Sequence, residues 1–239
     1  MLSVFRFINE RIGDFADLLF PTLCLGCDRS LETNEKILCT PCRISLPETG
    51  HHRQPYDYNL LNKFAGKVSI KFLASYVYFT KGGIVQKLIH QIKYKNQKEA
   101  AKELASWYGY QLKTESDIIR NFDLLVGVPL YKSRLDQRGY NQADLIAEGL
   151  SETLGIPMRT DVLIRTRFNS SQTRKNRLER WENVMTVFHV PDSQAVVGKN
   201  ILLIDDVLTT GATIEACAGE LLKAGCQSVG VLTIAATHR

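Results

Sequence analysis

Two groupings of residues in this chain can do chemistry. In the first, Asp205 and Asp206 stand side by side directly after the aliphatic run Ile201–Ile204, and the chain continues VLTTGAT to Thr213. Adjacent carboxylates can accept hydrogen bonds from neighbouring hydroxyls and hold a divalent cation. Thr209, Thr210, Gly211, Ala212 and Thr213 form a turn whose amides can point inward, with Gly211 allowing close approach and a helix starting near Thr213. The positive end of that helix would complete an anion cradle. An anion cradle beside two acids suits a sugar phosphate. A plain strand-to-helix loop with a threonine cap is the alternative. The loop has no lysine and the chain has no G-x-x-x-x-G-K-[ST] run, which excludes a nucleoside-triphosphatase P-loop.

The second grouping is made of cysteines. Cys24/Cys27 and Cys39/Cys42 are two C-x-x-C pairs separated by eleven residues. Each pair can present two thiolates from one turn, with Gly26 giving that turn conformational freedom. Four thiolates fill a tetrahedral Zn2+ shell and leave no open position, so the expected role is structural. A redox role would need just one such pair. Cys217 and Cys226 read as small buried residues.

These groups need elements to position them. A strand or hairpin near Val68–Phe79, strands at Leu124–Val128, Thr186–Val190, Ile201–Ile204 and Val229–Ala235, and a strand or loop around Leu163 alternate with helical patterns. Those helices start near Ile84, run through KEAAKELASWYGYQLK, and cover Asn141–Leu154 and Thr213–Ala224. Such alternation predicts an α/β fold with a mostly parallel sheet and helices on both faces. The carboxyl ends of its strands are then the expected ligand edge, with Asp205 and Asp206 at one strand exit. Before Pro21, residues Phe5, Ile8, Ile12, Phe15 and Leu19 form the stripe of an amphipathic helix. Arg6, Glu10, Arg11, Asp14 and Asp17 interrupt any secretory core there, and no apolar run reaches membrane-span length. A cytoplasmic protein is expected, and a reducing compartment favours zinc over disulfides. Residues 1–50 are expected to hold the amphipathic helix and the zinc module, 51–67 a linker with solvated His51 and His52, and 68–239 the main domain.

At 239 residues the chain suffices for one substantial domain and an appendage. Its net charge of +5 is matched by a local excess of the same size between Arg159 and Arg180, where seven Lys/Arg meet two acids. That segment suits a phosphate-bearing partner, either a small phosphorylated ligand or nucleic acid, unless it is only a solvated face.

The run ILLIDDVLTTGAT resembles the phosphoribosyl pyrophosphate (PRPP) signature of type I phosphoribosyltransferases. VGVPLYKSRLDQRGYNQADLIAEGL, SQTRKNRLERWENVMTVF and the cysteine pairs narrow the resemblance to the ComF family, with Lys175 departing from the leucine of many members. The resemblance implies a type I phosphoribosyltransferase fold carrying an N-terminal zinc module. It implies that Asp205 and Asp206 contact ribose hydroxyls with Mg2+ nearby, and that Thr209 to Thr213 hold the 5′-phosphate. Leu130, Tyr131 and Lys132 fall at the family's pyrophosphate loop, with Arg134 and Arg138 as charge partners. Arg165 to Asn183 falls at a flexible flap that includes Gln172, Arg180 and Asn183.

The acceptor is not legible. Tyr56, Tyr58, Phe72, Tyr76, Tyr78 and Phe79 could stack on a base, but at strand spacing they also suit a core. The family's link to natural transformation implies a second class of function, a single-stranded DNA-handling protein working with other DNA-uptake proteins. The cysteine pairs, the lysines of Lys87–Lys98 and the basic flap would then meet the strand.

Overall fold

The computed structural model describes residues 21–54, 58–166 and 188–237. The amphipathic helix before Pro21, Tyr56, and the flap residues Gln172, Arg180 and Asn183 lie outside the described residues. In chain order the elements are α1 (Thr40–Ile44), α2 (Tyr58–Leu61), β1 (Phe72–Phe79), α3 (Ile84–Tyr94), α4 (Lys98–Glu115), β2 (Leu124–Gly127), α5 (Lys132–Arg138), α6 (Gln142–Leu154), β3 (Ile164–Arg165), β4 (Phe188–His189), β5 (Asn200–Leu208), α7 (Ala212–Lys223) and β6 (Ser228–Thr237).

β1, β6, β5 and β2 form one parallel sheet in that order. Ile201, Leu202, Leu203 and Ile204 are all buried, as a strand covered on both faces requires. One difference from the sequence reading bears on the site. β5 does not stop before the acid pair. Its ladder with β6 continues, pairing Asp205 with Thr233 and Leu208 with Ala236, so both aspartates lie within the strand.

On one side, α4 buries Ala101, Leu104, Ala105, Tyr108 and Leu112 at helical spacing. It packs close to α6 because two glycines remove side chains from the contact. A Cβ on Gly149 would lie 2.5 Å from the Lys102 carbonyl oxygen, and one on Gly109 2.8 Å from Thr153 Cβ. This contact fixes α6, whose first turn reaches the ligand edge. On the other side, α7 buries Ile214, Ala216, Cys217, Ala218 and Leu221, and Cys226 beyond it is buried as expected.

The amino-terminal residues share this core. Cys24, Ile37, Leu38, Cys39 and Leu46 belong to the same buried cluster as Phe72, Leu88 and Leu104. Residues 47–49 run antiparallel along β1, where the Tyr78 N–H donates to the Pro47 carbonyl at 2.8 Å and the Thr49 N–H to that of Tyr76 at 2.9 Å.

The stretch expected as a linker also contributes buried groups. His51 and His52 are buried, not solvated. His52 Nε2 lies 3.0 Å from the Glu115 carboxylate, and its ring meets Tyr108 edge-on. A buried imidazole needs such a partner, and a short 3-10 turn over His51–Arg53 places it where α4 supplies one. Phe64 is fully buried against the second cluster, which holds Leu208 and Ile214. Phe72 and Tyr76 are core residues as well.

β3 and β4 form a two-residue antiparallel ribbon pairing Ile164 with His189 and Arg165 with Phe188. The two chain ends that flank residues 167–187 are therefore held side by side.

Candidate functional site

Strand alternation sends the two carboxylates of β5 to opposite faces of the sheet. Asp206 is buried, and its Oδ2 lies 2.8 Å from Nζ of Lys93, on the last turn of α3. Asp205 is half-buried, and its Oδ1 accepts the Asp206 N–H at 2.8 Å. Burial and the neighbouring Asp206 charge push the Asp205 carboxyl up to about 7, against the pull of that N–H, Lys93 and Arg165. The pair thus offers two hard oxygen donors, which suits a divalent cation and hydroxyl groups.

Directly beyond β5, Thr209, Thr210 and Ala212 are exposed and Thr213 half-buried. Gly211 has φ 85° and begins α7 with no side-chain cap, so the first amides of the helix are offered outward. The Ala212 N–H reaches Thr210 Oγ1 at 3.4 Å. The free side of Gly211 differs from expectation. A Cβ there would lie 2.9 Å from the Phe64 ring, so the glycine makes room for Phe64 as well as for the left-handed backbone. Lys67 Nζ, 3.4 Å from the buried Glu215 carboxylate, ties the same segment to the first turn of α7.

The loop after β2 forms the facing wall. Val128 N–H donates to the Ile204 carbonyl at 2.8 Å, and Asn141 Nδ2 to the Val128 carbonyl at 3.1 Å. Asn141 Oδ1 accepts the Ala143 N–H and caps α6, so one side chain holds both loop and helix. Leu130 and Tyr131 are half-buried, and Lys132 and Arg134 are exposed at the start of α5. Arg138 is turned aside, donating to Gln142 Oε1 at 2.8 Å and lying 5.1 Å over the Tyr94 ring. The Tyr140 hydroxyl donates to the Ile92 carbonyl, one residue before Lys93. The RGYNQ motif therefore joins α3, α6 and the β2 loop.

Two site residues, Lys93 and Phe64, lie outside the motifs, and a third, Arg165, stands at the edge of the flap stretch. Lys93 was grouped with surface lysines, yet it bonds Asp206. Its signal was position: it lies four residues beyond buried Ile89, where the apolar stripe of α3 would otherwise continue. Arg165 places its guanidinium 3.6 Å from the Tyr131 ring centroid and 5.0 Å from that of Phe188, at the base of the ribbon. Phe64 comes from the stretch expected as a linker.

At the amino end, the four sulfurs of Cys24, Cys27, Cys39 and Cys42 lie within 4.8 Å of one another, and Cys27 and Cys39 are 3.6 Å apart. Sulfurs at zinc-bond length from one tetrahedral ion would stand about 3.8 Å apart, so the arrangement fits Zn2+. Cys24 Sγ accepts the Cys39 N–H at 3.2 Å and the Gly26 N–H at 3.4 Å. Burial raises the Cys24 thiol, but backbone N–H groups of Cys39, Cys27 and Gly26 bring it down to about 6. Gly26 is needed for space, not for turn freedom: a Cβ would lie 2.6 Å from Ile84 Cδ1 and 3.1 Å from Cys42 Sγ. The left-handed residue of this turn is Asp28, at φ 61°.

Comparisons with known proteins bear on the same domain. The phosphoribosyl transferase domain family matches residues 135–239. DNA utilization protein YhgH of Escherichia coli strain K12 is 29% identical over 90% of this chain and 90% of its own length. Competence protein F of Haemophilus influenzae is 26% identical over 89% of this chain and 96% of its own. Competence protein ComFC of Bacillus subtilis strain 168 is 41% identical over 43% of this chain and 39% of its own. These similarities fit a ComF family protein. The main domain has the type I phosphoribosyltransferase fold, and the cysteine cluster joins that domain through a shared core. Among the described residues no helix is long and apolar enough to cross a membrane.

Proposed function

We propose that the carboxyl end of β5 binds a PRPP-type 5-phosphoribosyl ligand with Mg2+, and that the phosphoribosyl group passes to an acceptor on the same face. The observation that carries this reading is the continuity of Asp205 and Asp206 with the uncapped start of α7. The exposed Thr209 and Thr210 and the first amides of α7 would hold the 5′-phosphate. Asp205 and Asp206 would accept hydrogen bonds from the ribose hydroxyls and hold Mg2+, which supplies charge neutralisation at the departing pyrophosphate. As the C1–O bond weakens, positive charge grows on the ribose and negative charge on the leaving group. Lys132, Arg134 and the amides at Leu130 and Tyr131 would stabilise the latter without any nucleophilic side chain. Gln172, Arg180 and Asn183 are assigned to a flap that keeps water out.

Calorimetric titration tests the reading. PRPP with Mg2+ should bind at least tenfold tighter than ribose 5-phosphate, and Asp205→Asn with Asp206→Asn should abolish that difference. Equal affinities for the two ligands in the wild type would remove it.

A second reading is favoured by the relatives' names, which speak of DNA utilization and competence. In it the protein handles single-stranded DNA in the cytoplasm beside other DNA-uptake proteins. Lys87, Lys95 and Lys98 are exposed, although Lys87 Nζ also donates to the Gly26 carbonyl at 3.1 Å. Affinity for a single strand should then fall with salt by a log–log slope of about 0.7 per phosphate contacted. A flat salt response would dismiss it.

A further inference from the structure

Lys93 stands in the place a cation would take. Its ammonium is 2.8 Å from Asp206 Oδ2, and Asp206 is 4% exposed, so this is an enclosed pair and not a surface one. Enclosed charges interact far more strongly than solvated ones, and an unpaired buried carboxylate is costly. The lysine is held in range by its own helix. Val85, Leu88, Ile89 and Ile92 anchor α3 in the core, and the Tyr140 hydroxyl bonds the Ile92 carbonyl. On the other carboxylate, burial and the Asp206 charge raise Asp205 while Lys93 and Arg165 lower it, and Arg165 is stacked on Tyr131. Two carboxylates and two cations thus leave the site close to neutral. A divalent ion arriving alone would need the Asp206 oxygen that Lys93 holds, and would leave the site with excess positive charge. A polyphosphorylated ligand arriving with the ion removes both obstacles, because its oxygens can take the released ammonium.

We infer that Lys93 is a ligand-site residue: a built-in counter-ion on Asp206 that a divalent cation must displace, and that moves to a phosphoryl oxygen of the incoming ligand. The second half rests on the phosphoribosyl reading above; the first does not. The lysine thereby couples metal entry to ligand entry. A point-charge ammonium on a flexible stem suits this exchange better than a guanidinium would.

The test uses the full-length, zinc-loaded protein and Mn2+ as the probe, since a hard cation is poorly held by the four thiolates. Mn2+ binding is followed by electron paramagnetic resonance, without any phosphorylated compound. Lys93→Met should bind Mn2+ at least tenfold tighter than wild type. Lys93→Arg, which keeps the charge, should stay within a few-fold of wild type. Adding Asp206→Asn to Lys93→Met should cancel the gain. If Lys93→Met does not fold, Lys93→Gln carries the same comparison. Unchanged Mn2+ affinity in a folded Lys93→Met or Lys93→Gln protein would overturn the inference, as would an equal gain in Lys93→Arg. Failure of wild type to bind PRPP would undo the functional reading while leaving the counter-ion result intact. In wild type, PRPP should raise Mn2+ affinity more than it does in Lys93→Met; an equal rise would refute the coupling.

Discussion

Asp205 carries a charge that the fold does not favour. Its carboxyl is raised from the usual range to about 7 by burial and by Asp206, so the folded chain keeps that proton longer than the unfolded chain does. Below the unfolded value both states are protonated and the residue costs nothing. As pH rises through about 7 the full cost of ionisation appears. Asp205→Asn should therefore gain on wild type between pH 4 and pH 8, by an amount of order 2 kcal/mol. Denaturant melts at the two pH values check this; a difference that does not grow with pH would contradict it. Divalent-cation binding at the pair should weaken over the same interval as pH falls. The pair itself was legible in the sequence because both acids, the threonines and Gly211 lie within a few residues of one another. Lys93 and Phe64 were not, because each reaches the site from an element far away in the chain, and only the fold brings them near. The strand end was misplaced for a related reason: polarity at Asp205 looks like a terminus, whereas pairing with Thr233 carries the ladder on.

Elements are positioned here by what some residues lack. Gly149 and Gly219 both lie in helices, yet they should respond to alanine in opposite ways. A methyl on Gly149 meets the Lys102 carbonyl at 2.5 Å, so Gly149→Ala must part α4 from α6. Overpacking of this kind costs about 1–3 kcal/mol. Nothing lies within 4 Å of a methyl on Gly219, so Gly219→Ala should stabilise α7 by about 0.5–1 kcal/mol through helix propensity. Thermal melts of the two variants should move in opposite directions. Asn141 deserves the same test, since it caps α6 and holds the Val128 carbonyl. Asn141→Ala should cost about 1–2 kcal/mol and loosen the β2 loop, read as weaker pyrophosphate binding. Helical periodicity made α3, α4 and α6 legible in sequence, but not this packing: a glycine reads the same whether it faces a backbone or open solvent.

At the scale of the whole molecule, the cysteine cluster is not an appendage. Residues 1–50, read as a zinc module beside the main domain, would on that reading be destabilised by loss of the metal more than the core is. Cys24 and Cys39 instead share one buried cluster with β1, α3 and α4. Chelation, or Cys39→Ser, should lower the melting temperature of the entire chain in a single calorimetric transition. Two separate transitions, the upper one unmoved, would show that the module unfolds alone.

The segment lying along β1 has a consequence for how the protein fails. FLASYVYF, the whole of β1, has no charge, no proline and no glycine, the composition of a strand that templates fibrils when its edge is bare. Its outer edge is screened by residues 47–49, through the Glu48–Val77 bridge and the two flanking hydrogen bonds. At the opposite edge, Met158 shields β2 by a bridge to Leu125. The β1 screen follows the cysteine cluster by only a few residues, so the cluster anchors the cover. Metal-stripped protein should therefore scatter light and bind amyloid dyes at temperatures where its helices still give full circular dichroism.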